Sequence, residues 1–211
     1  MPFLSIITIN KNNAAGLRRT LESVCSQDFN DFEYIVVDGA STDNSRDELD
    51  NYKDNINILI SENDKGIYDA MNKGIAKASG EYLLFMNSGD CLADKSVLSK
   101  MHLACSGEDL LSGNIIFHEK NGERRDETPF RISKFYLLHS MLYHPVTFIR
   151  KSLFDRFGPY DDTLRIVADY EFFLRVLSKT RISYKHLDID IALFDKDGVS
   201  ASPDRKSTRL N

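Results

Sequence analysis

Residues 3–38, "FLSIITINKNNAAGLRRTLESVCSQDFNDFEYIVVD", contain two different hydrophobic periods. Continuous apolar runs over Phe3–Ile9 and Phe32–Asp38 predict two buried strands. Between them, apolar residues recur at helical spacing from Leu17 to Cys25, with charged residues on the opposite face. A strand, a helix and a strand in this order predict a parallel strand pair joined by a crossover helix.

The same alternation continues along the first half of the chain. Further strands are predicted at Ile56–Ser61 and Tyr82–Met86, with a helix from Gly66 to about Ala78 between them. These strands are apolar without a break, as strands are when helices cover both faces of the sheet. We therefore predict an α/β fold whose central sheet is mostly parallel, with helices on both faces.

The second half is less regular, and we expect it to add to the same sheet. Its clearest elements are a helix over Ala168–Leu177 and a strand within residues 182–194, and a short helix is predicted at Ile132–Ser140. The organisation predicted is one domain over residues 1–200, with halves 1–92 and 93–200, followed by a mobile tail at 201–211.

Composition excludes several classes of protein. The 211 residues are 42% apolar and 28% charged with net charge −5, so a general nucleic-acid-binding surface is not expected. The three cysteines form no C-x-x-C pair, which argues against a zinc site or a disulfide scaffold. No apolar run approaches the ~18 residues of a membrane span, and the first residues predict a strand rather than a signal peptide. These features favour a cytoplasmic protein.

Polar segments follow each of the first four predicted strands, and they read "TINKNN", "DGASTDNS", "SENDKG" and "NSGD". Open α/β sheets bind ligands beyond the carboxyl ends of their strands, so these loops would line one edge. Asp38 ends the second strand, where it either caps the next turn or accepts hydrogen bonds from a base or ribose. Ser41 or Asp43 could instead cap the following helix.

The usual phosphate-binding loops, G-x-x-x-x-G-K-[ST] and G-x-G-x-x-G, do not occur. A bound diphosphate would then need another counter-charge, for which a divalent cation is typical. Asp90, in "NSGD", is either a turn residue or a ligand to that cation. Lys65 either faces a phosphate or is solvated. For Asp69 and Asn72, on the following helix, the sequence likewise does not decide between a ligand contact and a solvated position.

Asp169 lies at an unusual place in the helix "ADYEFFLRVL". It precedes four apolar residues by 3, 4, 7 and 8 positions and so falls on the apolar face. An inward carboxylate needs either a partner or a chemical role. It is either a first-turn residue favoured by the helix dipole or a general base. His144, in "LYHPVTF", is either structural or functional.

Three segments in this order resemble the family 2 glycosyltransferases: residues 5–45, which include D-G-x-S-x-D, residues 62–90, and residues 144–175. The resemblance covers roughly residues 3–200 and implies a GT-A nucleotide-diphospho-sugar transferase fold with inverting sugar transfer. It implies Asp169 as the base, Asp90 as ligand to Mg²⁺ or Mn²⁺, and His144 and Arg165 on the acceptor side. Donor-binding residues would be Thr8, Asn10, Asp38, Ser41, Lys65, Gly66, Asp69, Asn72 and Asn87.

The sequence departs from the family pattern at two places. The metal motif is usually D-x-D or D-x-D-D, but here Asn87 and Gly89 occupy two of its acidic positions. The acidic residue that usually precedes the base is Ala168. Asp90 would therefore act with few acidic neighbours, and Asn87 and the donor phosphates would supply much of the coordination.

The resemblance implies hexosyl or N-acetylhexosaminyl transfer from a nucleotide sugar, with UDP by family habit. The acceptor would be a saccharide or a lipid-linked saccharide in bacterial surface polysaccharide assembly, at the inner face of the membrane. One alternative is a non-catalytic sugar-nucleotide-binding module, which the reduced acidic motif favours. Another is a sugar nucleotidyltransferase, which the single glycine and two basic residues after the first strand argue against.

Overall fold

The computed structural model describes residues 1–119, 122–137 and 139–195. The predicted tail at 201–211 lies outside these residues. The strands are Leu4–Asn10 (β1), Phe32–Asp38 (β2), Ile58–Ser61 (β3), Tyr82–Phe85 (β4), Cys91–Leu92 (β5), Leu110–Glu119 (β6), Gly122–Asp126 (β7), Thr147–Arg150 (β8) and Tyr184–Asp195 (β9). The helices are Ala14–Cys25 (α1), Ser45–Asn51 (α2), Ile67–Lys77 (α3), Val97–Ala104 (α4), Lys134–Leu137 (α5), Lys151–Phe157 (α6) and Ala168–Lys179 (α7).

All strands in the described part of the chain join one sheet, in the order β3-β2-β1-β4-β8-β6-β9-β5, with β7 paired to β6. The first four strands are parallel, as the crossover pattern predicts. The second half extends the same sheet, also as predicted. There β8 runs antiparallel to both β4 and β6, whereas β9 is parallel to β6.

Helices cover both faces of this sheet, and an apolar core lies on each side. One core contains Leu17 and Leu21 of α1, and the other contains Met71 of α3 and Phe172 of α7. The central strands β1, β2 and β4 are therefore buried on both faces along most of their length, which is why they are mainly apolar. The predicted α/β architecture is confirmed.

The 132–140 segment differs from its prediction. The helix there is only α5, a single turn over Lys134–Leu137. The Ser133 hydroxyl accepts from the Tyr136 amide at its start, and the amides of His139 and Ser140 both bond to the Tyr136 carbonyl at its end. The Ser133 side chain thus caps the start of this turn, because Ser bonds readily to neighbouring backbone amides.

The helices are short: α1 and α7, with 12 residues each, are the longest in the described ranges. None of the described helices has both the length and the apolar composition needed to cross a bilayer.

Candidate active site

A row of hydrogen-bonded side chains runs across the carboxyl ends of the four parallel strands. Asn10, Asp38 and Ser61 lie in register on β1, β2 and β3. Asp38 accepts from Asn10 Nδ2 at 2.8 Å and from Ser61 Oγ at 3.2 Å. Ser88, after β4, donates to Asn10 Oδ1 at 2.7 Å. The four polar strand ends therefore meet at one edge, as predicted.

Asp38 is fixed by this row and by its own turn. Its carboxylate is buried and also accepts from the amide and the hydroxyl of Ser41. Ser41 is thus tied to Asp38. The N-cap residue of α2 is Asn44, so neither Ser41 nor Asp43 is the predicted cap, although Asp43 accepts from the amide of Ser45, the first residue of α2. The structure shows the turn role of Asp38, and its contact with a base or ribose stays a prediction.

The loops after β1 and β2 are joined by a contact that the sequence did not reveal. Asn12 and Ala40 both adopt left-handed backbone, with φ of 51° and 56°. The Asn12 amide donates to Ser41 Oγ at 2.8 Å, and Asn12 Oδ1 accepts from the Thr42 amide at 2.7 Å. Asn tolerates this backbone region, whereas for Ala it costs on the order of 1 kcal/mol. Strained backbone of this kind is concentrated at functional sites.

The segment "NSGD" is a turn at the edge of the same row. The Asp90 amide donates to the Asn87 carbonyl at 2.9 Å, and Asp90 Oδ2 accepts from the Asn87 amide at 3.2 Å. Gly89 has φ 109°, a backbone conformation that L side chains rarely adopt. The geometry of this turn therefore explains why a glycine stands where the family usually has an acid.

Thr20, on α1, holds this turn from behind. Its buried hydroxyl lies 2.7 Å from the Asp90 carbonyl, 3.3 Å from the Asn87 carbonyl and 3.0 Å from the Gly89 amide. Sequence reasoning missed this residue, because Thr20 belongs to the inner face of α1 and its partners are about 70 residues away. Its one signal is a hydroxyl at an otherwise apolar helix position.

The turn presents oxygen atoms of the kind that Mg²⁺ and Mn²⁺ prefer. Asp90 is 5% exposed, and the buried Asn87 Oδ1 has no hydrogen-bond partner among the described residues. No group of three His, Cys, Asp or Glu side chains that could hold a metal occurs in the described ranges. A carboxylate and an unsatisfied amide oxygen fit a hard cation whose remaining ligands are phosphate oxygens and water.

Asp169 lies on the inward face of α7, as predicted, and is 4% exposed. Its Oδ1 accepts from the Tyr68 hydroxyl and from the Tyr170 amide, each at 2.9 Å. Its Oδ2 faces His144 Nδ1 at 3.4 Å. Oδ2 is therefore the less engaged oxygen of the carboxylate.

The surroundings of Asp169 keep it ionised. Burial opposes the charge, but the contacts from His144, Tyr68 and the Tyr170 amide outweigh it and hold the pKa of Asp169 below its ordinary value. For His144, burial acts to lower the pKa, whereas the hydrogen bond and charge of Asp169 and the charge of Asp90 raise it above the usual value. An ionised, inward carboxylate is the state that a general base requires.

His144 connects the two candidate centres. Its Nε2 lies 2.9 Å from Asn87 Nδ2, while its Nδ1 faces Asp169. A single imidazole thus joins the carboxylate on α7 to the "NSGD" turn after β4. The side chain of His144 is 19% exposed and that of Asp169 is 5%, so His144 is the more accessible member of the pair.

Two tyrosines complete the surroundings of Asp169, and the sequence did not single out either. Burial and then the charge of Asp169 raise the pKa of Tyr68, so its hydroxyl keeps its proton and donates. Tyr160 is buried beside Tyr68, and its hydroxyl has no partner among the described residues. Both rings lie in the apolar core, which the sequence did not predict.

Three of the predicted donor-side residues have other partners. Thr8 is fully buried, and its hydroxyl lies 2.9 Å from the Tyr34 hydroxyl inside the core. Asn72 exchanges two hydrogen bonds with the backbone of Tyr160, at 2.8 and 3.0 Å. Asp69 accepts from the Lys65 amide and pairs with Lys73 at 3.2 Å. The structure does not bring these three side chains into the strand-end row.

The remaining predicted residues lie nearer the open side. Lys65 and Arg165 are exposed. Gly66, with φ 144°, precedes α3, and its amide donates to Asp64 at 3.1 Å. Lys11 and Arg18, the two basic residues considered after β1, pair with Asp64 and Glu22, respectively.

Known proteins resemble this chain in sequence and in fold. The model of the glycosyl transferase family 2 matches residues 5–160. A PGL/p-HBAD biosynthesis glycosyltransferase of Mycobacterium tuberculosis is 32% identical over 209 residues, which is 93% of this chain and 78% of that protein.

Solved structures match the fold at lower identity. The S. aureus TarS 1-349 chain, in complex with UDP-GlcNAc, has a TM-score of 0.76 and 21% identity, over 92% of this chain and 58% of that one. The mannosyltransferase PcManGT from Pyrobaculum calidifontis, in complex with GDP-Man and Mn²⁺, has a TM-score of 0.69 and 15% identity, over 91% and 56%. The present chain thus spans less than two thirds of either structural neighbour, and the match establishes the GT-A fold.

Proposed function

This chain belongs to glycosyl transferase family 2, and from that premise we propose that it transfers a sugar from a nucleotide diphosphate sugar to an acceptor hydroxyl with inversion. The observation that carries this proposal is the contact chain from Asp169 through His144 to Asn87, beside the row of strand ends. It links an ionised carboxylate to the turn where a donor diphosphate would lie.

The proposed reaction is a single displacement at the anomeric carbon. The acceptor oxygen forms a bond to that carbon while the bond from the carbon to the diphosphate oxygen breaks, and its electrons leave with the nucleoside diphosphate. Asp169 takes the acceptor proton, a role typically worth ~10²–10⁴-fold in rate. Oδ2 is the oxygen proposed to receive it, because Oδ1 already accepts two hydrogen bonds.

Asp90 and Asn87 Oδ1 are the residues proposed to hold Mg²⁺ or Mn²⁺. When bound, such a cation offsets the negative charge that develops on the leaving diphosphate. Asp90 is held for this role by the Asn87 amide and, through the backbone of the turn, by Thr20.

The proposed donor-binding set is the strand-end row with its neighbours. Asp38, Asn10 and Ser41 would contact the nucleoside, and the exposed Lys65 and the adjacent Gly66 would face the diphosphate. Thr8, Asp69 and Asn72 would support this set from the core and from α3. His144 and Arg165 would line the acceptor side.

The finer identities are also proposals. A UDP-linked hexose or N-acetylhexosamine is the proposed donor, supported by the structural neighbour that binds UDP-GlcNAc. The proposed acceptor is a saccharide or a lipid-linked saccharide in bacterial surface polysaccharide assembly, and the proposed location is the cytoplasmic face of a membrane. The mycobacterial relative, which is named for biosynthesis, supports a biosynthetic role.

The test is a donor screen by thermal shift with UDP, GDP and dTDP sugars and Mn²⁺, followed by an assay for released nucleoside diphosphate. We expect one donor to raise the Tm, since a ligand at 100 times its Kd stabilises by ~2.7 kcal/mol. The same donor should then be turned over. Binding without turnover under any acceptor would favour the non-catalytic module. Pyrophosphate release from a nucleoside triphosphate and a sugar phosphate would favour the nucleotidyltransferase.

A further inference from the structure

The segment 129–143 exposes large apolar side chains next to the candidate site. Phe130 is 75% exposed and Phe135 is 73% exposed, and Met141 is also exposed. Most large apolar residues of the described chain lie in its two cores, so two such rings within six positions form an unusual surface. Val167, two residues before Asp169, is exposed as well.

Two hydrogen bonds and one ring contact hold this segment near the candidate active site. The Tyr184 hydroxyl donates to the Pro129 carbonyl at 2.6 Å, and the Phe130 ring lies 4.4 Å from the His186 ring on β9. Farther along, the Tyr170 hydroxyl donates to the Leu137 carbonyl at 2.6 Å. The described residues of this segment therefore contact β9 and α7, and His144 follows the segment, so its outer face borders the acceptor side.

The charge of this region is opposite to that of the whole protein. The chain has net charge −5, yet residues 128–154 contain no Asp or Glu. Arg131 and Arg165 are exposed, and neither has an ion-pair partner among the described residues.

The acids that flank this stretch all have ion-pair partners. Asp126 and Glu127 pair with the arginines of β7, although Arg125 also pairs with Asp188 and Asp190 of β9, and Asp155 pairs with Lys151. The stretch itself carries exposed aromatic side chains and Arg131 but no acid.

We propose that the exposed side chains of Phe130, Arg131, Phe135 and Met141, with Val167 and Arg165, dock on an anionic phospholipid bilayer. Exposed aromatic and aliphatic side chains beside unpaired arginines fit the interface, where apolar groups enter the headgroup region and cations meet lipid phosphates. Phe130 and Phe135 are 75% and 73% exposed, an exposure that suits insertion into a broad lipid surface. The proposal deepens the proposed transfer and rests on it in one respect: docking there would present a lipid-linked acceptor to Asp169.

Vesicle co-sedimentation tests this proposal. The full chain is mixed with vesicles of equal parts phosphatidylglycerol and phosphatidylcholine, and with vesicles of phosphatidylcholine alone. We expect binding to the anionic vesicles that weakens as salt is raised. The double variant Phe130→Ser/Phe135→Ser should bind at least about tenfold less tightly, and Arg131→Gln about fivefold less tightly.

Leu103→Ser is the matched control, since Leu103 is 84% exposed on α4 and lies outside the proposed surface. It should bind like the wild type. All three variants change exposed side chains, and an unchanged Tm will verify folding. No vesicle binding by the wild type, or equal binding by the double variant, overturns the proposal. The proposal is also overturned if the wild type is a dimer, the double variant is a monomer and neither binds vesicles, because the surface would then bind a second copy of this chain.

The result of the vesicle experiment does not depend on whether the chain transfers a sugar. Vesicle binding needs no nucleotide sugar, so it survives if the chain proves to transfer no sugar. Conversely, the double variant should still turn over the donor with a water-soluble acceptor, because Phe130 and Phe135 are not among the proposed catalytic or donor-binding residues.

Discussion

Asp169→Asn is the substitution that bears most directly on the proposed chemistry. It removes the negative charge while preserving the size of the side chain. The amide oxygen can still accept from the Tyr68 hydroxyl and the Tyr170 amide. Its NH₂ group, however, would face His144 Nδ1, which would then have to accept a hydrogen bond.

This change should propagate to the "NSGD" turn. An imidazole that accepts at Nδ1 carries its proton on Nε2, which would then face the Asn87 NH₂ group. The Asn87 amide would turn, so that Oδ1, unpartnered in the wild type, accepts from His144. Asp169→Asn would thereby move the His144 proton from Nδ1 to Nε2 and reorient Asn87 Oδ1, the oxygen proposed to bind the metal.

The expected magnitudes separate catalysis from stability. Loss of the base should lower the transfer rate by ~10²–10⁴-fold. Losing a hydrogen bond to a charged group costs about 1.5–3 kcal/mol, but removing a buried charge returns part of that cost. We expect a net loss of about 0–2 kcal/mol, and hence a fall in Tm of at most about 8 °C.

The assay measures initial rates of nucleoside diphosphate release with acceptor at saturating donor, together with donor Kd by calorimetry. Asp155→Asn is the matched control, because this exposed acid makes only a surface pair with Lys151. It should leave rate and Tm nearly unchanged. Turnover by Asp169→Asn within tenfold of the wild type would refute the assignment of the base.

Three further predictions concern neighbouring residues. Thr20→Val should leave the Gly89 amide and the Asp90 carbonyl without their partner, which should lower the free energy of unfolding by about 1–3 kcal/mol and weaken donor binding. Thr20→Ser should retain both hydrogen bonds. Equal Tm and donor Kd for the two variants would contradict this. Asp90→Asn should abolish any dependence of donor Kd on Mn²⁺, and the idea fails if EDTA weakens binding equally in variant and wild type. His144→Ala removes contacts that hold the pKa of Asp169 low, so the acid limb of the pH–rate profile should move to higher pH; an unmoved limb would count against the pair. The stability that Asp169 contributes above its unfolded pKa would likewise be lost at a higher pH as the solution is acidified.

Local patterns predicted the parts of this protein that depend on neighbours in sequence. The four parallel strands, the "NSGD" turn and the inward face of Asp169 all follow from the period of apolar residues and from turn chemistry. These features need only a few consecutive residues, and the fold preserves them.

Contacts between distant residues could not be read in this way. Tyr68 meets Asp169 across 101 positions, and Asn87 meets His144 across 57. Thr8 is another example. The family resemblance implies that it contacts the nucleoside, which stays a prediction, whereas the structure shows its hydroxyl 2.9 Å from the Tyr34 hydroxyl in the core. Pairing of polar groups inside a core depends on register and packing, which single segments do not encode.

Direct displacement by an acceptor oxygen inverts the anomeric carbon, so the anomeric configuration of the product reports on the mechanism itself. The wild-type chain is incubated with an α-linked nucleotide sugar that passes the donor screen and with an acceptor, and the purified product is examined by proton NMR. We expect a β-linked product, because one displacement inverts the reacting carbon. An α-linked product would rule out this displacement, since retention requires a different set of steps from the one assigned to Asp169.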